Sequence, residues 1–234
     1  MVKQLAVSVT LLMCFVPVSD AQIKTKEKQP AKTMRLGERE FELVFADNFE
    51  DGIANWKTTD DNAWVHKSHQ SNHTFGLKQR KSKYKPKFRS PHNIALLKDQ
   101  QFDDLVIEFD VKSTKDTGNH RDCCVFFCYQ NPDQFYYVHL GAKPDSASGQ
   151  IMLVNQAARS PLTENKRPVP WTDDWHKVRL VFDSATGKIS IYFDDMNAPL
   201  MSVKDKTFSK GQIGIGSFDD MNDFDNVRVY SPKK

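Results

Sequence analysis

Short apolar runs that alternate with polar residues, each ended by Gly, Pro, Asn or Asp, recur along almost the whole chain. Leu105-Val106-Ile107-Glu108-Phe109-Asp110-Val111 puts Leu105, Ile107, Phe109 and Val111 on one side and both acids on the other. His176, Val178, Leu180 and Phe182 share a side in the same way. Ser184-Ala185-Thr186-Gly187-Lys188 then reads as a hairpin turn into Ile189-Ser190-Ile191-Tyr192-Phe193. Period two belongs to half-buried strands, and no window of a dozen residues carries the 3.6-residue period of a helix. Many short strands without helices leave an antiparallel sandwich or jelly roll.

The beginning of the chain has a different composition. Lys3, the apolar run Leu5–Val16 and Ser19-Asp20-Ala21 form the charged, apolar and small-residue regions of a secretory signal peptide, residues 1–21. The apolar run is too short to span a bilayer, and no later stretch approaches about 18 apolar residues. The expected product is secreted, periplasmic or held at the cell surface, with no membrane span. Residues 22–38 are basic and poor in large apolar side chains, which predicts a solvated, disordered leader. Residues 39–232 then make one domain of ordinary size for a β-sandwich.

Of four cysteines, Cys14 departs with the signal, leaving Cys123, Cys124 and Cys128. Cys124 and Cys128, about 13 Å apart on an extended strand, cannot bridge each other. The three read as small core residues and lack the paired spacing of a zinc site.

Two stretches carry the functional signal. From Asn62 to Lys98 there are seven lysines, two arginines and no acid, although the whole chain is only +3. Lys81, Lys83, Lys85, Lys87 and Arg89 occupy alternate positions, so an extended backbone makes them one cationic face opposite Tyr84, Pro86 and Phe88. That pattern fits a charged edge strand, or a surface that attracts a polyanion. The second stretch, Gly118–Leu140, starts with His120-Arg121-Asp122. It continues into Cys123–Tyr129, apolar on both sides and therefore a central covered strand. Past an Asn-Pro-Asp-Gln turn, Tyr136, Val138 and Leu140 suit the core, while Phe135, Tyr137 and His139, roughly 7 Å apart, suit a groove.

Phe45-Ala46-Asp47-Asn48-Phe49-Glu50-Asp51-Gly52 with Trp56, the Glu108-Phe109-Asp110 strand, the Trp175–Asp195 hairpin and Phe224–Val229 together resemble concanavalin A-like lectin/glucanase domains. The similarity spans about residues 40–231 and points to the secreted bacterial branch with laminin G-like and 3-keto-disaccharide hydrolase domains. The resemblance implies an all-β, concanavalin A-like antiparallel β-sandwich, but no single activity, because the fold hosts lectins, hydrolases, lyases and inert modules. It also implies a structural calcium where the first and last strands meet, with Asp47 and Asp225 as its ligands. No cofactor is expected for chemistry.

Laminarinase-like members use Glu-x-Asp-x-Glu; here Glu108 and Asp110 are followed by Lys112, so the pair reads as solvated strand carboxylates. Elimination from an acidic sugar needs a Tyr or His base, with cations or amides to hold the developing charge. His139, Tyr137 and His120 are the proton-handling candidates. Arg89, Arg121, Asn155 and Arg159 are the substrate-binding ones. Trp171, in a Pro-rich loop, is the candidate stacking platform, whereas Trp56 and Trp175 are expected in the core. The expected partner is a carbohydrate, an anionic polysaccharide in particular; export and the lack of a nucleic-acid signature argue against nucleic acid. A hydrolase- or lyase-like enzyme and a non-catalytic carbohydrate-binding or adhesion module both fit one such groove.

Overall fold

The computed structural model describes residues 30–116 and 118–233; the expected signal peptide, residues 1–21, and the part of the expected leader before residue 30 lie outside the described residues. In chain order the strands begin with β1 (Thr33–Leu36), β2 (Arg39–Asp47), β3 (Trp56–Thr58), β4 (Trp64–His69), β5 (Asn72–Leu77), β6 (Asn93–Leu97), β7 (Leu105–Ser113) and β8 (Cys124–Asn131). They continue with β9 (Gln134–His139), β10 (Gln150–Asn155), β11 (Ser160–Pro161), β12 (His176–Asp183), β13 (Lys188–Phe193), β14 (Met201–Lys204), β15 (Gln212–Ser217) and β16 (Asn222–Pro232). A nine-stranded sheet runs β1-β2-β16-β7-β12-β13-β14, with the β4–β5 hairpin attached to β16. A seven-stranded sheet runs β11-β10-β9-β8-β15-β6-β3. All the pairings are antiparallel. The protein is a concanavalin A-like jelly-roll sandwich.

The alternation read from the sequence decides which side chains fill the space between the sheets. Ile107 and Phe109 of β7, Leu180 and Phe182 of β12, Phe127 of β8 and Tyr136 and Val138 of β9 meet there, all buried. Strand β8 lies between β9 and β15. Its other face, Cys124 and Phe126, joins Phe135, Tyr137, Met152 and Val154 in a second buried cluster on the outer side of the seven-stranded sheet. A bulge at Cys128, where φ is 48°, returns that sulfur to the inter-sheet core. All three described cysteines are unbridged and buried.

Two expectations need amending. The last part of the leader is ordered: Thr33–Leu36 pairs with β2 through a two-residue turn led by Gly37. There φ is +60°, as the hairpin turns that match strand twist require. Met34 and Leu36 supply the reason, since both pack against the buried cluster of Phe41, Val106 and Tyr230 on the outside of the nine-stranded sheet. The basic segment, in turn, is not an edge strand; residues 78–92 form no ladder. They keep the alternation, with Lys81, Lys83, Lys85, Lys87 and Arg89 exposed and Ser82, Tyr84, Pro86, Phe88 and Ser90 turned inward to varying depth. Arg80 Nε donates to Asp219 O at 2.6 Å, and Arg89 O accepts from Arg159 N at 3.1 Å. The segment is thus a strap pinned at both ends beside the outer face of the seven-stranded sheet.

Asp104 ties the β6–β7 connection to β2 and to the turn after β12. It accepts from the Ser184 N–H and O–H and from the Arg39 guanidinium. Burial alone pushes the Asp104 carboxyl up, but the Ser184 and Arg39 hydrogen bonds outweigh it and hold the group below its ordinary value. A carboxyl depressed in the folded state stabilises the fold above its unfolded pKa of about 3.9 and loses that contribution as the pH falls through the folded value. Wild type is therefore expected to melt above Asp104→Asn at neutral pH, with the two curves converging as the pH drops below about 4. A gap that stays constant in thermal melts across this range would show that the ionised carboxylate is not what matters.

Candidate functional site

Adjacent strands of the seven-stranded sheet bring Gly216, Cys124, His139 and Gln150 into one row, through the pairs Gly216↔Cys124, Cys124↔His139 and His139↔Gln150. The chain enters this row through Arg121-Asp122 and leaves β15 through Phe218-Asp219. Around these ends lies a solvent-open pocket of about 240 Å³, whose wall includes Arg89, His120, Arg121, Asp122, His139 and Arg159.

Asp122 is the structural centre of the site and is 1% exposed. Its carboxylate accepts from Ser217 Oγ at 2.9 Å, Phe218 N at 2.9 Å and Asp219 N at 3.0 Å. Burial works to raise its pKa, but His139 and the Phe218 and Asp219 N–H groups prevail, so the carboxyl stays well below the ordinary range. These bonds aim Phe218 into the pocket. The Phe218 ring then stacks on His139 at 5.7 Å, while the Arg159 guanidinium lies 4.1 Å from its centroid and that of Arg89 6.0 Å. His92 lies 5.6 Å from the same ring. Burial, followed by the charges of Lys85, Arg89 and Arg159, pushes the His92 imidazole below its usual value. Among the described residues, neither Arg89 nor Arg159 has a carboxylate partner. Two guanidinium groups without carboxylate partners, held against one aromatic ring, can hold an anion.

Five of the residues singled out by sequence line this pocket: Arg89, His120, Arg121, His139 and Arg159. Arg121 is not free to hold a ligand anion, because its guanidinium pairs with Asp173 and, at 3.4 Å, with Asp116. His120 is largely exposed, with Nδ1 3.5 Å from Asp219. Tyr137 lies on the expected face but below the pocket, fully buried. Burial pushes its phenol far above the ordinary value against the pull of Arg159, which makes it a poor base near neutral pH. Asn155 is exposed at the far end of β10, 3.4 Å from Gln134 Nε2. Trp171 is not a free platform: its indole N–H donates to Leu140 O at 2.8 Å and its ring packs edge-on against Phe193 and His176. Trp56 is in the core as expected, whereas Trp175 is 43% exposed.

Glu108 and Asp110 differ from their sequence reading. They lie on the outside of the nine-stranded sheet, and Glu108 is buried against Arg179 at 2.7 Å, while Asp110 meets Lys177 at 2.6 Å. Cations on the neighbouring strand β12, invisible in the β7 sequence, pair with both acids and bury Glu108, while Asp110 stays half-buried. Asp47 directs its carboxylate to Phe49 N, Asn55 Nδ2 and Trp56 Nε1. Asp225 accepts from Asn72 Nδ2 and from Asn226 N. Among the described residues, Asp47 and Asp225 share no cluster of three metal-ligating side chains; the one such cluster is Asp122, Cys124 and His139.

The sequence assigns no role to Phe218, reads Asp219 only as one of an acidic group (Asp219, Asp220, Asp223, Asp225) suited to calcium, and reads Asp122 only as part of a polar lead-in. The local signal for them is slight: an acid ahead of a strand, and an aromatic after Gly-x-Gly.

No protein-family model matches the chain, and no curated protein matches it in sequence. Solved structures do match. The carbohydrate-binding module CBM66 from Bacillus subtilis aligns over 76% of this chain and 97% of its own, at 18% identity and a TM-score of 0.56. Domain 4 of AbnA, an extracellular arabinanase from Geobacillus stearothermophilus seen with arabinotriose, covers 82% and 93% at 10% identity, TM-score 0.52. Winged bean acidic lectin, complexed with methyl-α-D-galactose, covers 81% and 98% at 11% identity, TM-score 0.51. These likenesses establish a shared fold.

Proposed function

We propose that this chain is an exported carbohydrate-binding jelly-roll domain whose pocket takes an acidic sugar residue, one bearing a carboxylate or a sulfate. The observation that carries the reading is the Phe218 ring flanked by Arg89 and Arg159, two guanidinium groups without carboxylate partners at the mouth of an open pocket. The acidic substituent of a sugar offers two oxygens to an Arg fork, and the Phe218 ring holds the guanidinium groups in place to receive it. The exposed lysines of the strap would raise the local concentration of a polyanion and speed its association. The fold-sharing carbohydrate-binding module, arabinanase domain and lectin support carbohydrate as the ligand class by analogy alone. Export rests on the signal-peptide pattern of residues 1–21.

The expected result is that the protein is retained by uronate- or sulfate-bearing polysaccharides and not by neutral glucans. Arg159→Ala, which removes a charge-assisted contact worth about 1.5–3 kcal/mol, should weaken binding by roughly 10- to 150-fold while the melting temperature changes little. Equal affinity for neutral and acidic chains, or an unaffected Arg159→Ala variant, would refute the acidic-sugar reading.

A second reading, hydrolase- or lyase-like turnover of the kind implied by the resemblance to 3-keto-disaccharide hydrolase domains, is favoured by the presence of His139 in the pocket wall. New reducing ends would support hydrolysis, and the ultraviolet absorbance of an unsaturated uronate would support elimination. Binding without either product leaves the binding module.

A further inference from the structure

The pocket floor holds a group of side chains that sugar binding does not use. Cys124, Asp122 and His139 are all buried, and their donor atoms lie within 4.8 Å of one another. They come together because Cys124 and His139 are cross-strand partners on β8 and β9, and Asp122 precedes β8 on the same side.

The orientation of His139 is informative. Its Nδ1 is 3.1 Å from Ala147 O, and a carbonyl only accepts, so Nδ1 carries a hydrogen. Its Nε2 is buried without a hydrogen-bond partner and points at Asp122 Oδ2, 3.7 Å away. Asp122 in turn is fixed as a carboxylate by three donors, Ser217 Oγ and the N–H groups of Phe218 and Asp219. In the Nδ1–H tautomer a lone pair thus faces an anion, an arrangement that favours a cation between the two. The sulfur of Cys124 beside them supplies a third donor atom, so one metal ion can be held by all three.

We propose that Cys124 Sγ, His139 Nε2 and Asp122 Oδ2 form a binding site for a transition-metal ion of the zinc type, with its remaining position facing the pocket. Thiolate, imidazole and carboxylate are the donors Zn²⁺ selects, and three protein ligands with one open position are the arrangement of reactive zinc sites. Bond lengths of about 2.0–2.3 Å set tetrahedral donor separations near 3.3–3.8 Å, so closing the set requires side-chain shifts of no more than about 1 Å. The outer partners are in place: the Ala147 carbonyl fixes the His139 tautomer, and backbone N–H groups hold Asp122, as metal ligands require. The pocket wall includes Asp122 and His139 but not the deeper Cys124, so the free position looks toward the pocket and its two arginines.

Cobalt(II) is the probe, because a Co²⁺–thiolate bond has a charge-transfer absorption that carboxylate or imidazole binding lacks. Titrating the purified protein should develop that band at one equivalent, and Zn²⁺ should abolish it by displacement. Cys124→Ser and His139→Gln should lose it. Cys123→Ser and Cys128→Ser, whose sulfurs face the inter-sheet core, should keep it. Zn²⁺ should also raise the melting temperature of wild type and leave that of Cys124→Ser unchanged. A folded wild-type protein that shows no band, or an undiminished band in folded Cys124→Ser, would overturn the proposal. No readout involves a carbohydrate, so the result is independent of whether the pocket binds one.

Discussion

Asp122→Ala is expected to destabilise the domain by about 3–5 kcal/mol, the cost of breaking a buried charged network by removing one partner. The carboxylate is 1% exposed and holds three donors from the β15 exit, Ser217 Oγ and the N–H groups of Phe218 and Asp219. Alanine fills none of these roles. The Phe218 and Asp219 N–H groups would lose their acceptor, and each unsatisfied donor kept from water costs about 1–3 kcal/mol. For a domain of this size the melting temperature should fall by on the order of 10 °C. Asp122→Asn, whose amide oxygen still accepts, should lose clearly less. Denaturant unfolding monitored by near-ultraviolet circular dichroism measures both. An alanine variant within about 1 kcal/mol of wild type would mean that water or backbone movement satisfies the freed groups. Because the same bonds aim Phe218 into the pocket, even a surviving Asp122→Ala protein should bind acidic sugar poorly.

Arg179→Ala should be comparably damaging at the opposite side of the sandwich. Glu108 is 7% exposed, and Arg179 Nε donates to its Oε1 at 2.7 Å from the neighbouring strand. Without the guanidinium a carboxylate is left buried and uncompensated, which again costs about 3–5 kcal/mol. The double variant Glu108→Leu/Arg179→Met tests the origin of that loss. Replacing a buried ion pair by apolar side chains of similar volume is often neutral or stabilising, so the double variant should recover most of what Arg179→Ala loses. If instead it is as unstable as Arg179→Ala, the pair's geometry, and not the stranded charge, dominates. Neither variant should alter glycan binding, because Glu108 and Arg179 do not belong to the pocket.

The residues that were legible from sequence are those whose role is set by their own strand. Tyr136, Val138 and Leu140 fill the inter-sheet core, and Phe135 and Tyr137 turn to the other side, as alternation requires. Cys123–Tyr129 is covered on both faces because its apolar residues leave neither face suited to water. The strap from Lys81 to Arg89 keeps its two-sided pattern even though it pairs with no strand. Alternation records which side chains avoid water, but it does not record whether a neighbouring backbone supplies hydrogen bonds.

The misread residues had their environment set by another element. Glu108 reads as solvated until β12 places Arg179 beside it. Trp171 reads as an exposed platform until Leu140 O captures its indole N–H. Arg121 reads as a ligand cation until Asp173 and Asp116 neutralise it. Phe218 carries no local mark, yet four side chains from separate segments, His139, Arg159, Arg89 and His92, surround it.

Sequence by itself determined the all-β class, the division of each strand into a core side and an outer side, and a basic stretch facing solvent. Periodicity is a property of a single segment, and burying its apolar side is favourable in any arrangement of partners. Only the tertiary structure decided which guanidinium groups are neutralised, that Phe218 gathers Arg89 and Arg159 at the pocket, and that Asp122, Cys124 and His139 share one floor. Those facts depend on strand register and on distances between segments far apart in the chain, where a one-residue slip would turn His139 and Cys124 to the opposite face.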